Sequence, residues 1–150
     1  MASSRPNDEG ERELAHQRAL MVERHVRARG IRDERILQAM REVPRHRFVP
    51  PVVAAKAYGP GALPIGAGQT ISQPWIVARM IELLELSGRE KVLEVGTGTG
   101  YQAVVLSKLC TRVFTIERVN ELGLRAAELV RELGIHNVSV KVFDGTYGWS

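Results

Sequence analysis

The sequence predicts an α/β protein in which N-terminal helices precede the first half of a doubly wound parallel sheet. After Gly88, short apolar runs alternate with segments of helical period, an alternation typical of βαβ units. In addition, an apolar run that ends at Glu94 and Val95 is followed by glycines at alternate positions, which predicts a tight turn from a strand into a helix. The predicted elements of this half are a strand over 91–95, a helix over 101–110, a strand over 112–117, a helix over 120–133 and a strand over 137–142.

The composition fits a single globular domain over residues 1–150. Of the 150 residues 44% are hydrophobic, which is ordinary for a chain that buries one core. We expect a helical N-terminal part over about 11–86 and a ligand-binding part over 91–150. The sequence leaves the oligomeric state open.

Charge and cysteine content narrow the function classes. The net charge of +4 is the difference between 21 basic and 17 acidic residues, which are interspersed without a basic block, so nucleic acid is not indicated as a partner. Residues 1–13 are polar and charged, unlike a secretory signal, and no run reaches transmembrane length. We therefore expect a cytoplasmic protein with no membrane partner. Cys110 is the one cysteine, so an internal disulfide is excluded and no metal site is predicted.

Two amphipathic helices are predicted in the N-terminal part. Residues from about Glu11 to Arg29 have helical period, and Gly30 is a typical residue at a helix C-terminus. Asp33 is a favoured N-cap for a second helix, which Pro44 ends.

The segments that follow are predicted to be irregular. The prolines of residues 44–51 favour an extended connector, in which Arg45, His46 and Arg47 form a solvated turn. The alternative is that these basic residues attract an acidic peptide. Glycines and prolines between 58 and 70 predict a loop, and loops of that length are usually functional. Ser72 is then predicted to be the N-cap of a third helix.

The glycine-rich turn is the strongest sign of a ligand site. With no Cβ atom at Gly96, Gly98 and Gly100, a ligand can approach the backbone closely. Tyr101 stands where the dinucleotide fingerprint has its third glycine, so a hydride-transfer cofactor is not favoured. The next predicted strand ends in Glu117, whose carboxylate could accept both hydroxyls of an unmodified ribose. The plainer interpretation is a tight turn without a ligand, with Glu117 solvating a strand end.

Three separated motifs carry a resemblance to a known family. The spacing Gly-x-Gly-x-Gly after an acid is itself typical of S-adenosylmethionine-dependent methyltransferases. From about Val22 to its last residue the chain resembles the protein-L-isoaspartate O-methyltransferase family. The matching motifs are residues 68–74 (GQTISQP) together with 43–50 (VPRHRFVP), residues 93–102 (LEVGTGTGYQ), and Asp144-Gly145 with Gly148-Trp149.

The resemblance implies an enzyme of protein repair. Such an enzyme transfers a methyl group from S-adenosyl-L-methionine to the α-carboxylate of L-isoaspartyl residues, and the ester collapses to a succinimide, so that repeated cycles restore aspartate. Its partners are isoaspartyl-containing proteins and peptides. By the same resemblance Ser72 is the catalytic residue, and the residues that bind the donor are Glu94, Gly96, Thr97, Gly98 and Gly100 for the methionine end, Glu117 for the ribose, and Asp144 with Gly145 for the adenine.

For this reaction the protein needs mainly to position the substrate carboxylate and the methyl donor. A carboxylate of ordinary pKa is already ionised at neutral pH, so no general base is needed. Ser72 could orient the substrate carboxylate with a hydrogen bond. The alternative is that Ser72 only caps its helix, which contributes on the order of 1 kcal/mol.

The sequence departs from the family in length. Members of the family continue for several strands after the aspartate-glycine motif, so the chain is expected to be truncated at its C-terminus. Strand 91–95 is then expected to be an open sheet edge, with one wall of the ligand crevice absent. The alternatives are a catalytically inactive fragment that keeps a partial donor-binding half-site, and a methyltransferase for another substrate, which leaves the motif around Ser72 unexplained.

Overall fold

A computed structural model describes residues 6–149, which form N-terminal helices, a small hairpin and a parallel sheet with its helices. The helices are α1 (Pro6–Met21), α2 (Glu34–Glu42), α3 (Pro74–Leu83), α4 (Tyr101–Ser107) and α5 (Asn120–Glu132). The strands are β1 (Leu63–Gly66), β2 (Gln69–Ile71), β3 (Lys91–Val95), β4 (Arg112–Glu117) and β5 (Val138–Val142). Short helical turns cover Val22–Val26, Arg27–Arg29, Arg45–Phe48, Pro51–Lys56 and Gly145–Tyr147.

The described parallel sheet has the strand order β3-β4-β5. β3 and β4 pair in parallel with Glu94 opposite Thr115, and β4 pairs in the same way with β5. The strands and helices predicted after Gly88 are all present, and the α/β fold class is confirmed. α4 is shorter than predicted, since it ends at Ser107 instead of residue 110.

β3 lies at an edge of this sheet, as the sequence predicts. Its residues Leu93 and Val95 are 46% and 64% exposed, so the strand presents apolar side chains as well as unpaired backbone groups. Among residues 6–149 there is no helix both long and apolar enough to cross a membrane.

The N-terminal helices begin and end largely where local chemistry predicts. α1 begins at Pro6 and continues through a π-helical turn and a 3₁₀ turn as far as Arg29. Gly30 ends this stretch in the left-handed conformation at φ +104°. The Asp33 carboxylate accepts a hydrogen bond from the Arg35 amide at 2.9 Å and so caps α2.

Two of the irregular segments are more ordered than the sequence predicts. The connector over 44–51 contains the 3₁₀ helix Arg45–Phe48 and enters a second one at Pro51. The expectation of a solvated turn is wrong for Arg45, whose side chain is fully buried and donates to backbone carbonyls. The predicted loop over 58–70 contains β1 and most of β2, which form a hairpin because a turn of left-handed residues from Gly66 to Gly68 reverses the chain.

The prediction that Ser72 caps α3 is also wrong. Gln73 is the N-cap, and no side chain caps this helix. The reason is the position of Pro74, since proline favours the first helical position and the residue directly before it becomes the cap.

The core joins both parts of the chain, with apolar residues from α1, α2, α3, α4 and β4 in one cluster. Cys110 belongs to this cluster, where its Sγ atom donates to the Leu106 carbonyl at 3.2 Å, and burial raises the pKa of the thiol. Cys110 is therefore a buried packing residue of the core.

Candidate functional site at the carboxyl ends of the strands

The glycine turn lies where β3 ends, at the edge of an open sheet where ligands usually bind. Gly96, Gly98 and Gly100 all have positive φ, at +94°, +57° and +91°, which a residue with a Cβ atom rarely adopts. The Gly96 amide donates to the carbonyl of Ile116 at 2.8 Å, so the turn is tied to β4. We name residues 96–100 the glycine loop.

The three glycines have different surroundings. A Cβ atom at Gly96 would meet no atom within 4 Å, and one at Gly98 would lie 3.5 Å from Cδ1 of Ile65 on the hairpin. At Gly100 it would lie 3.5 Å from the Cβ atom of Ala126 on α5. Gly96 therefore leaves space for a ligand. At Gly98 and Gly100 a Cβ atom would make only ordinary van der Waals contact, so the positive φ is what favours glycine there.

Glu94 is a buried acid directly beneath the glycine loop. Its Oε1 atom accepts a hydrogen bond from the Thr115 hydroxyl at 2.6 Å, across the β3–β4 pair. Burial raises the pKa of Glu94 to about 7, while hydrogen bonds from Thr115 and Gln102 act in the opposite direction. Near neutral pH this carboxyl is therefore divided between its ionised and protonated forms.

Thr97 extends this contact into a chain of hydrogen bonds. Its hydroxyl lies 2.6 Å from the Thr115 hydroxyl, and both threonines are buried. When Glu94 is ionised it can only accept, so Thr115 donates to Glu94 and Thr97 donates to Thr115. The charge state of Glu94 is thereby coupled to the side chain of a glycine-loop residue.

Glu117 holds the glycine loop from the end of β4. Its Oε2 atom accepts from the Gly98 amide at 2.8 Å, and its Oε1 atom accepts from the Val119 amide at 3.0 Å. Each carboxylate oxygen can accept a further hydrogen bond, so these contacts are compatible with binding of ribose hydroxyls. The plainer role, solvating a strand end, does not fit a side chain that is buried and bonded to the loop.

Ser72 lies across a small cavity from the glycine loop. The cavity has a volume of about 190 Å³. It brings together the predicted residues Ser72, Glu94, Gly96, Thr97 and Gly98, with Ile71, Met80, Thr99 and Gln102 among the others that line it. Ser72 is half-buried in this position, between β2 and α3.

Asp144 and Gly145 lie outside this cavity, at the end of β5. The Asp144 carboxylate accepts from the amide and the hydroxyl of Thr146 at 2.9 and 2.8 Å, and these bonds lower its pKa. A Cβ atom at Gly145 would lie 2.5 Å from Cγ1 of Val95, so this glycine permits a close approach to the end of β3. Gly100 and Glu117 likewise do not line the cavity, although Glu117 contacts it through Gly98.

Sequence reasoning did not find Thr115 or Gln102. Thr115 is a polar residue opposite Glu94 in the sheet. It could be predicted only from the pairing register of β3 and β4, which the sequence does not specify. Gln102 follows Tyr101 in α4 and lines the cavity beside Glu94.

A larger cavity of about 430 Å³ lies on the other side of Thr99 and is lined mainly by apolar residues. Both of its arginines form ion pairs with glutamates. Arg47 lies 3.0 Å from Glu132, and Arg125 lies 2.5 Å from Glu121. The cavity beside Glu94 is the stronger candidate for a functional site, because it combines a buried acid with the backbone of the glycine loop.

A parallel sheet, a glycine loop at the end of one strand and an acid at the end of the next define the class of α/β proteins that bind nucleotide-type ligands. Residues 15–150 match the sequence model of the family described as protein-L-isoaspartate(D-aspartate) O-methyltransferase. The chain belongs to this family. The family predicted from the sequence motifs is thus confirmed.

Several curated relatives carry the name protein-L-isoaspartate O-methyltransferase. The one from Geobacter metallireducens is 55% identical over 132 residues, which are 88% of this chain and 61% of the relative. The one from Aliivibrio fischeri strain ES114 is 52% identical over 136 residues, which are 91% of this chain and 65% of the relative. The chain therefore spans about three fifths of the length of the curated relatives it matches.

Solved structures agree on the fold. A protein-L-isoaspartate O-methyltransferase structure has a TM-score of 0.77 at 30% identity, covering 90% of this chain and 44% of the other. A Plasmodium falciparum protein in complex with S-adenosyl-L-homocysteine has a TM-score of 0.71, covering 89% of this chain and 65% of the other. At 23% identity, this second likeness concerns the fold alone.

Proposed function

We propose that this chain provides the donor-binding side and the serine motif of a protein-L-isoaspartate O-methyltransferase. The activity is transfer of a methyl group from S-adenosyl-L-methionine to the α-carboxylate of an L-isoaspartyl residue. The observation that carries the proposal is that Ser72, Glu94 and residues 96–99 of the glycine loop line the same cavity. Membership of the family supports the same activity.

The residues of the cavity fit a cationic donor. Glu94 is a buried carboxyl with no cationic partner among its contacts, so a positive charge nearby would favour its ionised form. The glycine loop allows close approach of a ligand to the backbone. The volume of about 190 Å³ is small beside the roughly 300–1,000 Å³ of common ligand pockets, which suits the amino-acid end of the donor.

The other predicted donor contacts form part of this proposal. Glu117 would accept hydrogen bonds from the ribose hydroxyls with the lone pairs that its amide partners leave free. Asp144 and Gly145 would border the adenine, since they follow the next strand of the same sheet. Gly96, Thr97, Gly98 and Gly100 would carry the methionine end.

The donor supplies a methyl group on a sulfonium, which is a good leaving group. Because the substrate carboxylate is ionised at neutral pH, the protein needs no general base and contributes mainly positioning. Ser72 would donate a hydrogen bond to that carboxylate and so orient one oxygen toward the methyl carbon. Its hydroxyl is not used as a helix cap, which leaves it free for this role.

The substrates would be isoaspartyl-containing proteins and peptides, and the place of action the cytoplasm. Neither a nucleic acid nor a membrane is proposed as a partner.

The test is transfer of labelled methyl from S-adenosyl-L-methionine to an isoaspartyl peptide, with the matched aspartyl peptide as control. We expect label in the isoaspartyl peptide alone. Label in both peptides would contradict the substrate assignment. Label in neither, with S-adenosyl-L-homocysteine bound, would reduce this chain to a donor-binding half-site.

Two variants separate the roles of the residues. Ser72→Ala should lower turnover by about tenfold or more while leaving donor affinity nearly unchanged, since it removes one hydrogen bond to a charged group. Ser87→Ala is the matched control, because Ser87 is exposed and bonds only to Glu90. Equal turnover in both variants would remove Ser72 from the mechanism.

A further inference from the structure

Arg45 is a buried cation for which the proposed function so far gives no role. Its side chain is fully buried, and burial lowers the pKa of its guanidinium below its ordinary value. None of the ion pairs found among residues 6–149 includes it. Burying a guanidinium without a carboxylate is costly unless other polar or aromatic groups compensate it, and Arg45 contacts groups of both kinds.

Arg45 bridges two backbone segments that are far apart in sequence. Its Nε atom donates to the Ala57 carbonyl at 2.9 Å, and its Nη2 atom donates to the Ser72 carbonyl at 2.8 Å. The Ser72 carbonyl precedes α3, whose N-cap is Gln73, and so lies outside the hydrogen bonds of that helix. Arg45 therefore fixes the peptide group that joins Ser72 to Gln73.

The same guanidinium contacts the glycine-loop side of the cavity. Its central carbon lies 4.8 Å from the centre of the Tyr101 ring, and Tyr101 is the first residue of α4, directly after Gly100. Phe48 packs edge-on against the same ring, with the two ring centres 5.5 Å apart. Since Ser72 and Tyr101 both line the cavity, one side chain contacts both of its walls.

We propose that Arg45 is a positioning residue that sets the distance between Ser72 and the glycine loop. The planar guanidinium suits this task, because it can donate in two directions within its plane while an aromatic ring stacks on its face. A lysine would keep the charge but lose that geometry. The proposal rests on the proposed function of Ser72 for its catalytic meaning, whereas the structural part stands by itself.

The first experiment measures amide hydrogen exchange and needs no activity. In Arg45→Lys and Arg45→Met we expect exchange in peptides covering 69–77 to rise about tenfold or more, because a charge-assisted hydrogen bond to this segment is lost. Arg47→Gln is the matched control, since Arg47 is exposed, lies in the same short helix and pairs with Glu132. No local rise in either Arg45 variant would overturn the proposal.

A uniform rise of exchange across the whole chain would also overturn it, because Arg45 would then stabilise the fold generally. Arg45→Lys, the milder change, keeps this distinction available if Arg45→Met does not fold.

The second experiment measures methyl transfer to the isoaspartyl peptide and binding of S-adenosyl-L-homocysteine. We expect kcat to fall about tenfold in Arg45→Met, while the dissociation constant of the donor analogue stays within about threefold of the wild-type value. In Arg45→Lys we expect kcat to recover partially. An equal loss of kcat and analogue affinity would overturn the positioning role. If the wild-type chain transfers no methyl group, the proposed function fails, while the exchange experiment still decides the structural part.

Discussion

At the scale of single residues, buried polar side chains hold the glycine loop in place through hydrogen bonds. Glu94, Thr115 and Thr97 form one chain of hydrogen bonds under the glycine loop, and Glu117 ties the loop amide of Gly98 to β4. Such a network is costly unless its members are satisfied, so it favours one arrangement of the loop. Because the pKa of Glu94 is raised to about 7, pH changes near neutrality alter the charge of this network.

The first prediction concerns stability and pH. A carboxyl whose pKa is raised to about 7 in the folded protein binds its proton more tightly there than in the unfolded chain, where the ordinary value is 4.5. Its contribution to stability is therefore present below pH 4.5 and is lost as pH rises through about 7. Thermal melts should show the wild-type protein losing stability relative to Glu94→Gln between these pH values. Parallel pH profiles for the two proteins would contradict the raised pKa.

The second prediction concerns binding of S-adenosyl-L-homocysteine and follows from the proposed function. The positively charged end of the ligand should prefer ionised Glu94, so affinity should rise with pH. If only the ionised form binds, affinity should increase about tenfold between pH 6 and pH 8 for a group with a pKa near 7. Titration calorimetry on Glu94→Gln supplies the control, because the ligand's own amine titrates identically with both proteins. A pH dependence that survives in Glu94→Gln would assign the effect to the ligand.

At the scale of elements, α5 packs closely on the end of the sheet. Gly123 lies within α5, and a Cβ atom there would lie 2.6 Å from Cγ2 of Val142 and 3.4 Å from Cβ of Glu117. The helix approaches the sheet this closely because Gly123 has no side chain, and it thereby positions the strand end that carries Glu117.

The third prediction compares two glycines within helices. Gly123→Ala should destabilise the fold by about 1–3 kcal/mol, since the crowded neighbours must move. Gly10→Ala in α1 meets no atom within 4 Å and should be neutral or stabilising by up to about 1 kcal/mol through helix propensity. Urea unfolding of both variants measures the difference. A Gly123→Ala protein as stable as Gly10→Ala would mean that α5 can shift freely.

Sequence reasoning succeeded at element scale where local chemistry decides the outcome. Asp33, Gly30 and the glycine loop each act on neighbouring backbone atoms, and the structure has them as predicted. Arg45 could not be placed, because its partners Ala57 and Ser72 come close only after the chain has folded. Ser72 is not the cap that its residue type predicts, because Pro74 occupies the first helical position and makes Gln73 the N-cap.

At the scale of the whole molecule, an apolar surface runs along the sheet edge and the end of α3. Leu83, Leu84, Leu93 and Val95 are each at least 46% exposed. Parallel sheets are normally covered on both faces, so a surface of this kind favours association.

The fourth prediction is that the 150-residue chain, expressed alone, self-associates through this surface. Sedimentation velocity should detect oligomers that Val95→Lys reduces, because a charge at an edge strand opposes pairing. Val52→Lys is the control, since Val52 is 88% exposed and lies outside the sheet. A monodisperse wild-type monomer with a cooperative melt would contradict this prediction.

The one thiol of the chain is a built-in probe of local opening in the core. Cys110 is the one cysteine among 150 residues, and it is buried with its sulfur bonded to the end of α4. Because Cys110 is only 8% exposed, its rate of labelling by a thiol reagent should rise with the frequency at which the contacts around the end of α4 and the start of β4 open. With no second thiol to contribute to the signal, one modification curve follows local opening of the core at the end of the sheet opposite the glycine loop.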